Sequence, residues 1–415
     1  MTSIAVLGYG VVGTGVAELA MRNKEKIKKS LGDDLVISKI LVRDLNKHLN
    51  KGNSNLLTKN IDDIFNDNVD IVVEVMGGIN PAYEYIKQAL KLKKHVVTAN
   101  KDLIAEHGVE LLNIAKSNGV TLKFEASVGG GIPVIKPLSE CLVGNDINSI
   151  KAILNGTTNF ILSKMYSENL DYDTALKLAQ ENGFAEANPE SDVCGYDAAR
   201  KLAILSTIAY NKNIDWKNIN TIGITDIDKI DFEYAKKIGC NIKLLGLSQQ
   251  YDNEKIFASV QPVMVKDCLK LSNIENEFNS IVIDGDAVGE VIFYGKGAGM
   301  LPTASSVFGD ILDIIKNKNE APLTFNSEKA DLKNSWDYKS KWFLRIDSPN
   351  RYDAISLLAD KFINCYIITN NLNDSNEIFA VVTANNEKEL DDNLNFILQS
   401  CNAKKYKKMM IMGNN

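Results

Sequence analysis

Short apolar segments alternate with longer amphipathic segments over residues 1–130. The stretch "SIAVLGYGVVGTGVAELA" opens with aliphatic residues at 3–7, crosses several glycines and continues with helical spacing. Strand patterns recur in "LVISKILVRD", at 69–78 and at 94–101, and helical patterns occupy 81–92 and 102–118. This alternation is typical of βαβ units, and it predicts an α/β fold with a Rossmann-type doubly wound parallel sheet.

The glycines after the first predicted strand have the spacing of a dinucleotide-binding turn. Gly8 permits a tight turn, Gly10 lets a pyrophosphate approach the backbone, and Gly13 lets the helix pack closely on the strand. Free N–H groups at the start of the helix would then hold the phosphates. The candidate cofactor-binding residues of this turn are Gly8, Tyr9, Gly10, Val11, Val12 and Gly13. The alternative is a glycine turn with a purely structural role.

The end of the second predicted strand bears on the choice of cofactor. A carboxylate at this edge commonly binds the ribose 2′-hydroxyl of NAD, whereas an arginine accommodates the 2′-phosphate of NADP. This sequence offers both, as Arg43 and Asp44. We favour Arg43, and therefore expect NADP(H) to be preferred over NAD(H). An exposed basic loop without this role is the alternative.

Functional groups of a doubly wound sheet belong at the carboxyl ends of its strands. The third predicted strand ends at Gly77 and Gly78, and the fourth at Asn100 and Lys101. We expect all four residues on the cofactor side. Lys101 directly follows "TAN" and is a candidate catalytic residue, although a lysine at such an edge is commonly a solvated side chain.

Asp197 and Lys201 stand four residues apart in a helix predicted to begin near Tyr196, so their side chains share one face. An exposed ion pair of this kind would contribute only about 0.3–0.5 kcal/mol to stability and have no function. The helix is largely apolar, however, which favours a position in a cleft. Burial lowers the pKa of a lysine and a neighbouring carboxylate raises it. The resulting ammonium could protonate a carbonyl oxygen that receives a hydride.

Three further stretches with glycine predict loops. "EASVGGGIPVI" (125–135) indicates a tight loop at a strand end. "NGTTNF" (155–160) indicates a strand-to-helix turn, whose N–H groups and hydroxyls could hold a carboxylate, with a structural helix cap as the alternative. "YGKGAGMLPTASSVFGDIL" (294–312) leads into a helix, and a plain helix-entry loop is an equal interpretation of its glycines.

Composition narrows the class of protein. The chain has 415 residues, which favours two or three domains. Its net charge of −6 argues against a nucleic-acid or anionic-membrane partner. The 6 cysteines lack CxxC spacing, no signal peptide is evident and no apolar run reaches bilayer length, so we expect a cytoplasmic protein. With only 3 histidines, a histidine-based metal site is improbable.

Five motifs occur in an order that resembles the homoserine dehydrogenase family. They are "GYGVVGTG", "TANK", "FEASVGGGIPVI", "NGTTNFIL" and "GFAEANPESDVCGYDAARKLAIL", within residues 1–320. The resemblance implies reduction of L-aspartate 4-semialdehyde to L-homoserine with NADPH or NADH, a step toward threonine, methionine and isoleucine. No kinase-like segment precedes the first strand, so the resemblance is to the monofunctional form.

The resemblance also implies roles for particular residues. Lys201 would donate the proton in reduction, and Asp197 would orient it. Lys101 would lie beside the nicotinamide, and whether it shares the proton transfer is left open. By the resemblance, Glu186 and Asp192 would bind substrate. Gly156 and Thr157, in the "NGTTNF" turn described above, are the candidates for its carboxylate.

In the family, the stretch that matches "EASVGGGIPVI" surrounds a monovalent cation, usually sodium. The matching ligands are the Glu125 carboxylate and the backbone carbonyls of Val128, Gly130 and Ile132. The segment with Gly297 and Gly299 matches one that returns to the nucleotide domain and closes over the cofactor.

The pattern changes in the C-terminal residues. "KWFLRID", "NCYIITNNL" and "EIFAVVTAN" predict strands, while "RYDAISLLADKF" and "EKELDDNLNFILQS" predict helices. This βαββα order resembles an ACT domain, an amino-acid-sensing module. The first loop has Asn350 and Arg351 where the family pattern has glycine. We therefore expect a role in assembly rather than in feedback by threonine.

The predicted organisation is a nucleotide-binding domain over 1–130, an α+β substrate domain over 131–320 in which 294–320 returns to the nucleotide domain, and an ACT-like domain over 338–415. Relatives imply a homodimer or homotetramer. Two alternative functions are a non-catalytic NADP-binding regulator and a cysteine-dependent semialdehyde dehydrogenase. The second needs a thiolate with a base, and neither Cys141 nor Cys194 is followed by a histidine.

Overall fold

The structure, a computed structural model, describes residues 1–49, 52–251, 254–317, 322–368 and 376–413. The chain divides into two compact units. Unit 1 comprises Met1–Ile150, Asp197–Asn218 and Phe278–Ala330, and unit 2 comprises Lys151–Tyr196, Ile219–Glu277 and Asp331–Asn415. The helix with the candidate proton donor therefore belongs to the same unit as the nucleotide-binding residues.

The strands are β1 (Thr2–Leu7), β2 (Leu35–Leu41), β3 (Leu57–Thr58), β4 (Ile71–Glu74), β5 (His95–Thr98), β6 (Leu122–Lys123), β7 (Ile147–Ile153), β8 (Asn220–Thr221), β9 (Cys240–Gln250), β10 (Ile256–Lys266), β11 (Phe278–Gly285), β12 (Gly289–Lys296), β13 (Leu332–Lys333), β14 (Ser340–Asp347), β15 (Cys365–Ile367), β16 (Glu377–Ala384) and β17 (Lys405–Met412). The helices are α1 (Val11–Arg22), α2 (Lys24–Leu31), α3 (Asp62–Phe65), α4 (Ala82–Lys91), α5 (Lys101–Asn118), α6 (Gly156–Glu168), α7 (Tyr172–Glu181), α8 (Glu190–Val193), α9 (Tyr196–Tyr210), α10 (Lys229–Lys237), α11 (Met300–Lys316), α12 (Arg351–Lys361) and α13 (Glu387–Ser400).

Unit 1 contains a parallel sheet with the strand order β3-β2-β1-β4-β5-β6. The chain moves outward from β1 to β3 and then returns beside β1 as β4. This reversal creates a topological switch point, where α/β proteins bind ligands at the carboxyl ends of the strands. The predicted Rossmann-type sheet is confirmed, although β4 is shorter than the strand predicted over 69–78.

Helix α11 completes the core of unit 1 from far along the chain. Aliphatic side chains of β1, such as Ile4 and Val6, are fully buried in one cluster with Val307 and Ile311 of α11. A Cβ on Gly15 of α1 would lie 2.6 Å from the Met300 carbonyl oxygen, so the backbones of α1 and α11 are in close contact.

Unit 2 contains a mixed sheet in which β9, β10, β17, β14, β16 and β15 are consecutive neighbours. All of these pairs are antiparallel except β10 with β17. The predicted βαββα order is present as β14, α12, β15, β16 and α13, and β17 follows as a strand that the sequence analysis missed. Residues 369–372 of the second predicted strand lie outside the described residues.

The first half of β17 is rich in lysine and only its second half is buried, so its sequence lacks a strand-like alternation. The segment is a strand because it pairs with β10 and β14 on its two sides, and not because of its local sequence pattern. In the part of the chain that the structure describes, no helix has both the length and the apolar character needed to span a membrane.

Candidate active site

The glycine turn after β1 is tightly packed at Gly8 and Gly13 and has open space at Gly10. Gly8 has a φ of +105°, and a Cβ on Gly13 would lie 2.1 Å from the Gly8 carbonyl oxygen, so neither position has room for a side chain. At Gly10, which precedes α1, no described atom beyond its chain neighbours lies within 4 Å of where a Cβ would stand. Because the first N–H groups of a helix lack intrahelical partners, this open space in front of α1 fits a phosphate.

Glu74, at the end of β4, is a fully buried carboxylate that the sequence analysis did not single out. It accepts the backbone N–H groups of Met76 at 2.7 Å and Gly77 at 3.2 Å, and the Thr98 hydroxyl at 2.5 Å. Burial raises the pKa of Glu74, and these hydrogen bonds oppose the shift. The carboxylate thereby fixes the turn at the carboxyl end of β4. An acidic residue inside the apolar run "VDIVVEVMGG" was the signal that could have identified it.

Asn100 connects the ends of β4 and β5. Its side-chain nitrogen donates to the Gly78 carbonyl at 2.6 Å, and its side-chain oxygen accepts the N–H of Leu103 at 3.1 Å as the cap of α5. The predicted edge residues Gly77, Gly78, Asn100 and Lys101 therefore come together at one edge of the sheet. Gly77 and Gly78 both have positive φ, at +74° and +72°.

The ammonium groups of Lys101 and Lys201 share one carboxylate. The Nζ of Lys201 lies 2.8 Å from Oδ2 of Asp197, and the Nζ of Lys101 lies 3.3 Å from Oδ1. The side chains of Lys201 and Asp197 are only 12% and 8% exposed, so this is not the solvated surface pair of the alternative interpretation. Lys101, the first residue of α5, thus lies beside α9 within the same unit.

Arg43 follows β2 and is exposed. The carboxylate of the adjacent Asp44 accepts the backbone N–H of Asn46 at 3.0 Å and so takes part in the local turn. Of the two candidates for contact with the ribose, Asp44 thus already accepts a hydrogen bond from the backbone of its own turn.

The triple glycine at 129–131 packs against the loop that enters α11. A Cβ on Gly130 would lie 2.3 Å from the Gly297 carbonyl oxygen, and one on Gly131 would lie 2.7 Å from the side chain of Pro302. The N–H of Gly131 donates to the Lys296 carbonyl at 3.0 Å. Close contact between two backbone segments therefore requires glycine here. Gly299, directly before α11, has a φ of +124°.

Glu125 is a buried carboxylate at the start of the triple-glycine stretch. It accepts three backbone N–H groups, from Val134 at 2.6 Å, Ile135 at 2.8 Å and Lys136 at 2.8 Å. Burial raises the pKa of Glu125, and these three bonds oppose the shift. The carbonyl of Gly130 accepts the Ser306 hydroxyl at 2.6 Å. Two of the predicted cation ligands thus also have partners within the chain.

The candidate substrate residues belong to unit 2. Asn155 caps α6 by accepting the N–H of Thr158 at 2.8 Å, and a Cβ on Gly156 would lie 2.7 Å from the Glu277 carbonyl oxygen. The Thr157 hydroxyl donates to the Phe184 carbonyl at 2.6 Å. The helix cap that the sequence analysis gave as an alternative is therefore present.

The two acidic candidates of unit 2 differ in their surroundings. Asp192 is half-buried and accepts a hydrogen bond from Asn155 Nδ2 at 2.7 Å, which connects it to the start of α6. Glu186 is exposed, and its backbone carbonyl accepts from Gln180 at 3.2 Å. Of the pair, the structure brings Asp192 to the turn at Gly156.

A parallel sheet with an open glycine turn at its first strand is typical of dinucleotide-binding oxidoreductases. Family models agree with this class. The model described as "Homoserine dehydrogenase, NAD binding domain" matches residues 8–125, and the model described as "Homoserine dehydrogenase" matches residues 133–312. The chain is thus an oxidoreductase with an NAD-binding domain.

Known relatives define the family. The homoserine dehydrogenase of Bacillus subtilis is 42% identical over 366 residues, covering 86% of this chain and 84% of that protein. The crystal structure of a homoserine dehydrogenase from Thiobacillus denitrificans has a TM-score of 0.90 at 34% identity, covering 99% and 98% of the two chains. A hyperthermophilic archaeal homoserine dehydrogenase in complex with NADPH has a TM-score of 0.64 at 30% identity, covering 75% and 97%.

The chain belongs to the homoserine dehydrogenase family. The predicted function is confirmed, and the regulator and the cysteine-dependent dehydrogenase are not favoured.

Proposed function

We propose that Lys201 protonates the aldehyde oxygen of L-aspartate 4-semialdehyde when this homoserine dehydrogenase forms L-homoserine, and withdraws that proton in the reverse reaction. The observation that carries the proposal is the carboxylate of Asp197 shared between Lys101 and Lys201. A nicotinamide supplies the hydride when bound. The reacting oxygen then needs one proton, and an ammonium held in a partly desolvated position is a suitable donor.

Asp197 orients Lys201, because its Oδ2 lies 2.8 Å from the Lys201 Nζ on the same face of α9. Lys101 extends the positive charge of the site toward the carboxyl end of β5. An oxygen that gains negative charge as the hydride arrives is stabilised by two such cations. Lys101 in this role acts by charge, and Lys201 by proton transfer.

The activity is tested directly with the purified full chain. L-homoserine and NADP⁺ should give a rise in absorbance of the reduced nicotinamide, and the reverse assay with L-aspartate 4-semialdehyde should consume it. The same protein without homoserine is the blank. Absence of turnover in both directions, with the cofactor bound, would reject the proposal.

We propose NADP(H) as the preferred cofactor. The archaeal relative in complex with NADPH and the exposed position of Arg43 after β2 support this preference. The open space at Gly10 would hold the pyrophosphate, with the first N–H groups of α1 as donors.

The Arg43→Ala variant should bind NADPH more weakly while NADH binding stays nearly unchanged. The guanidinium is the group that would contact the 2′-phosphate, and loss of a hydrogen bond to a charged group costs about 1.5–3 kcal/mol. Fluorescence titration of both nucleotides against wild type and variant measures the two affinities. Lys47→Ala, a neighbouring lysine, is the matched control. Equal weakening of NADPH and NADH would exclude contact with the 2′-phosphate.

We propose that Glu186 and Asp192 bind substrate, as the family resemblance implies, and that the turn at Gly156 and Thr157 holds its carboxylate. The hydrogen bond between Asp192 and Asn155 supports an ordered turn at the start of α6. Because the Thr157 hydroxyl donates to Phe184, backbone N–H groups are better suited than this hydroxyl to hold a carboxylate.

We also propose that a sodium ion stabilises the segment that starts at Glu125. A carboxylate offers about four acceptor positions and a carbonyl two, so Glu125 and Gly130 each keep one position beyond their contacts in the chain. With the carbonyls of Val128 and Ile132, these oxygens would hold the ion, whose role would be structural.

Sodium chloride should raise the thermal midpoint of the protein above that in tetramethylammonium chloride at equal ionic strength. A ligand at 100 times its dissociation constant stabilises a folded protein by about 2.7 kcal/mol. Differential scanning fluorimetry measures the difference, which Glu125→Gln should remove and Glu140→Gln should retain. Identical midpoints of the wild type in the two salts would contradict the sodium site.

The remaining expectations are a homodimer or homotetramer, a cytoplasmic location, and a role in assembly for the segment β14 to β17. The expected role in assembly rests on two residues, Asn350 directly before α12 and Arg351 at its start. The family pattern has glycine in this loop. The antiparallel pairing of β14 with β16 and β17 supports the ACT-like interpretation of this segment.

A further inference from the structure

We infer that Arg200 is a positioning residue for catalysis: through Asp102 and Trp216 it holds α9 against α5, so that Asp197 stays between Lys101 and Lys201. The inference rests on the proposed role of Lys201. Neither the family motifs nor the sequence pattern assigns a task to Arg200, Asp102 or Trp216.

The charged residues of α5 and α9 are spaced so that they pair with one another. Lys101 and Asp102 are the first two residues of α5, while Asp197 and Arg200 lie three apart on α9 and so share one face. Lys101 pairs with Asp197, and the next residue, Asp102, pairs with Arg200 at 3.1 Å between Oδ1 and Nε. Lys101 and Asp102, which are consecutive on α5, thus pair with residues about one turn apart on α9. In the first pair the positive charge is on α5, and in the second it is on α9.

Arg200 also contacts an aromatic ring. Its guanidinium carbon lies 3.9 Å from the ring centroid of Trp216, in the short turn that follows α9. The Arg200 side chain is 18% exposed, so the ion pair with Asp102 is partly shielded from water. A planar guanidinium combines an ion pair with aromatic stacking, whereas a lysine ammonium is a point charge on a flexible stem.

A third pair continues the row of contacts. Lys217, next to Trp216, lies 3.5 Å from Glu106 of α5. The pairs 101–197, 102–200 and 106–217 form one ladder between α5 and the segment 197–217. Because Lys217 is exposed, its pair with Glu106 contributes little to stability. Of the three pairs, the one with Arg200 combines an ion pair with a ring contact.

The consequence for catalysis follows from how sensitive proton transfer is to position. A misplacement of about 1 Å can lower a rate about 10²-fold. Without Arg200, Asp102 has lost this partner, and the charged pairs described above that remain between α5 and the segment 197–217 are Lys101–Asp197 at 3.3 Å and the exposed pair Glu106–Lys217. Asp197 would then hold the Lys201 ammonium in place less firmly, and proton transfer would be slower.

The test compares Arg200→Met, which removes the charge and the planar group, with Arg200→Lys, which keeps the charge only. In the full-length enzyme, Arg200→Met should lower kcat about tenfold to a hundredfold and change the KM for NADP⁺ little. Arg200→Lys, which keeps the charge, should lower kcat less than Arg200→Met does.

A double-mutant cycle identifies action through Asp197. If Arg200 works by placing Asp197, Arg200→Met should cause little further loss of kcat in an Asp197→Asn background. Arg22→Met, which removes an exposed arginine paired with Glu18 on α1, is the matched control and should retain the wild-type kcat.

An unchanged kcat in Arg200→Met would overturn the inference, as would a loss of kcat with additive effects in the cycle. If Arg200→Met fails to fold, the same cycle made with Arg200→Lys and Asp197→Asn decides in the same way. Lys201→Met tests the proposed function separately from the positioning role of Arg200. Near-normal turnover in that variant would reject the proposed function itself. If the variant is inactive, the Arg200 variants alone decide the positioning role.

Discussion

Replacing Lys201 by alanine should lower kcat by about 10²–10⁴-fold, the range that a positioned proton donor contributes. The affinity for NADPH should remain nearly unchanged, because the open glycine turn in front of α1 is built from other residues. Steady-state kinetics in both directions measure kcat, and fluorescence titration measures the affinity.

The matched control for this substitution is Lys164→Ala. Lys164 also pairs with a carboxylate four residues away, Glu168 at 2.7 Å, but on the surface of α6. Its replacement should leave kcat at the wild-type value. A Lys201→Ala enzyme that turns over nearly as fast as the control would show that another group delivers the proton, with Lys101 the first candidate.

Gly130→Ala should destabilise the protein far more than an ordinary glycine-to-alanine change. Gly130 has a φ of +55°, which costs a residue with a Cβ about 1–2 kcal/mol. The new Cβ would also lie 2.3 Å from the Gly297 carbonyl oxygen, and such overpacking adds about 1–3 kcal/mol. We therefore expect a loss of about 2–5 kcal/mol in the free energy of unfolding.

Gly119→Ala isolates the cost of overpacking. Gly119, at the end of α5, has a φ of +67°, but no described atom beyond its chain neighbours lies within 4 Å of the position that the new methyl group would occupy. Its substitution should therefore cost only the backbone share, about 1–2 kcal/mol. Urea denaturation of both variants gives the difference. Equal losses would mean that the loops at 130 and 297 move apart without penalty.

The sequence predicts those parts of the molecule that depend on local pattern. The strand–turn–helix unit from β1 to α1 and the parallel sheet follow from short apolar runs and glycine spacing, and both are confirmed. The pairing of Asp197 with Lys201 follows from helical periodicity alone, since residues four apart share a face.

What the sequence could not predict depends on contacts between distant segments. Gly130 meets Gly297, and Lys101 meets Asp197, only after the chain has folded. Neither partner is recognisable from the residues around it, so the family resemblance points to a cation loop at the triple glycine and not to a backbone contact. The strand β17 escapes prediction for the same reason, because its place between β10 and β14 and not its composition makes it a strand.

The packing of α11 on α1 has a consequence for synthesis on the ribosome. Gly15 is translated early, whereas Met300, whose carbonyl oxygen it approaches, follows much later. At about 5–20 residues per second, the interval is roughly 15–60 s. During that time the apolar surface around Val16 and Leu19, which is buried in the finished protein, lacks its α11 partner. Exposed apolar surface of this kind is what chaperones bind.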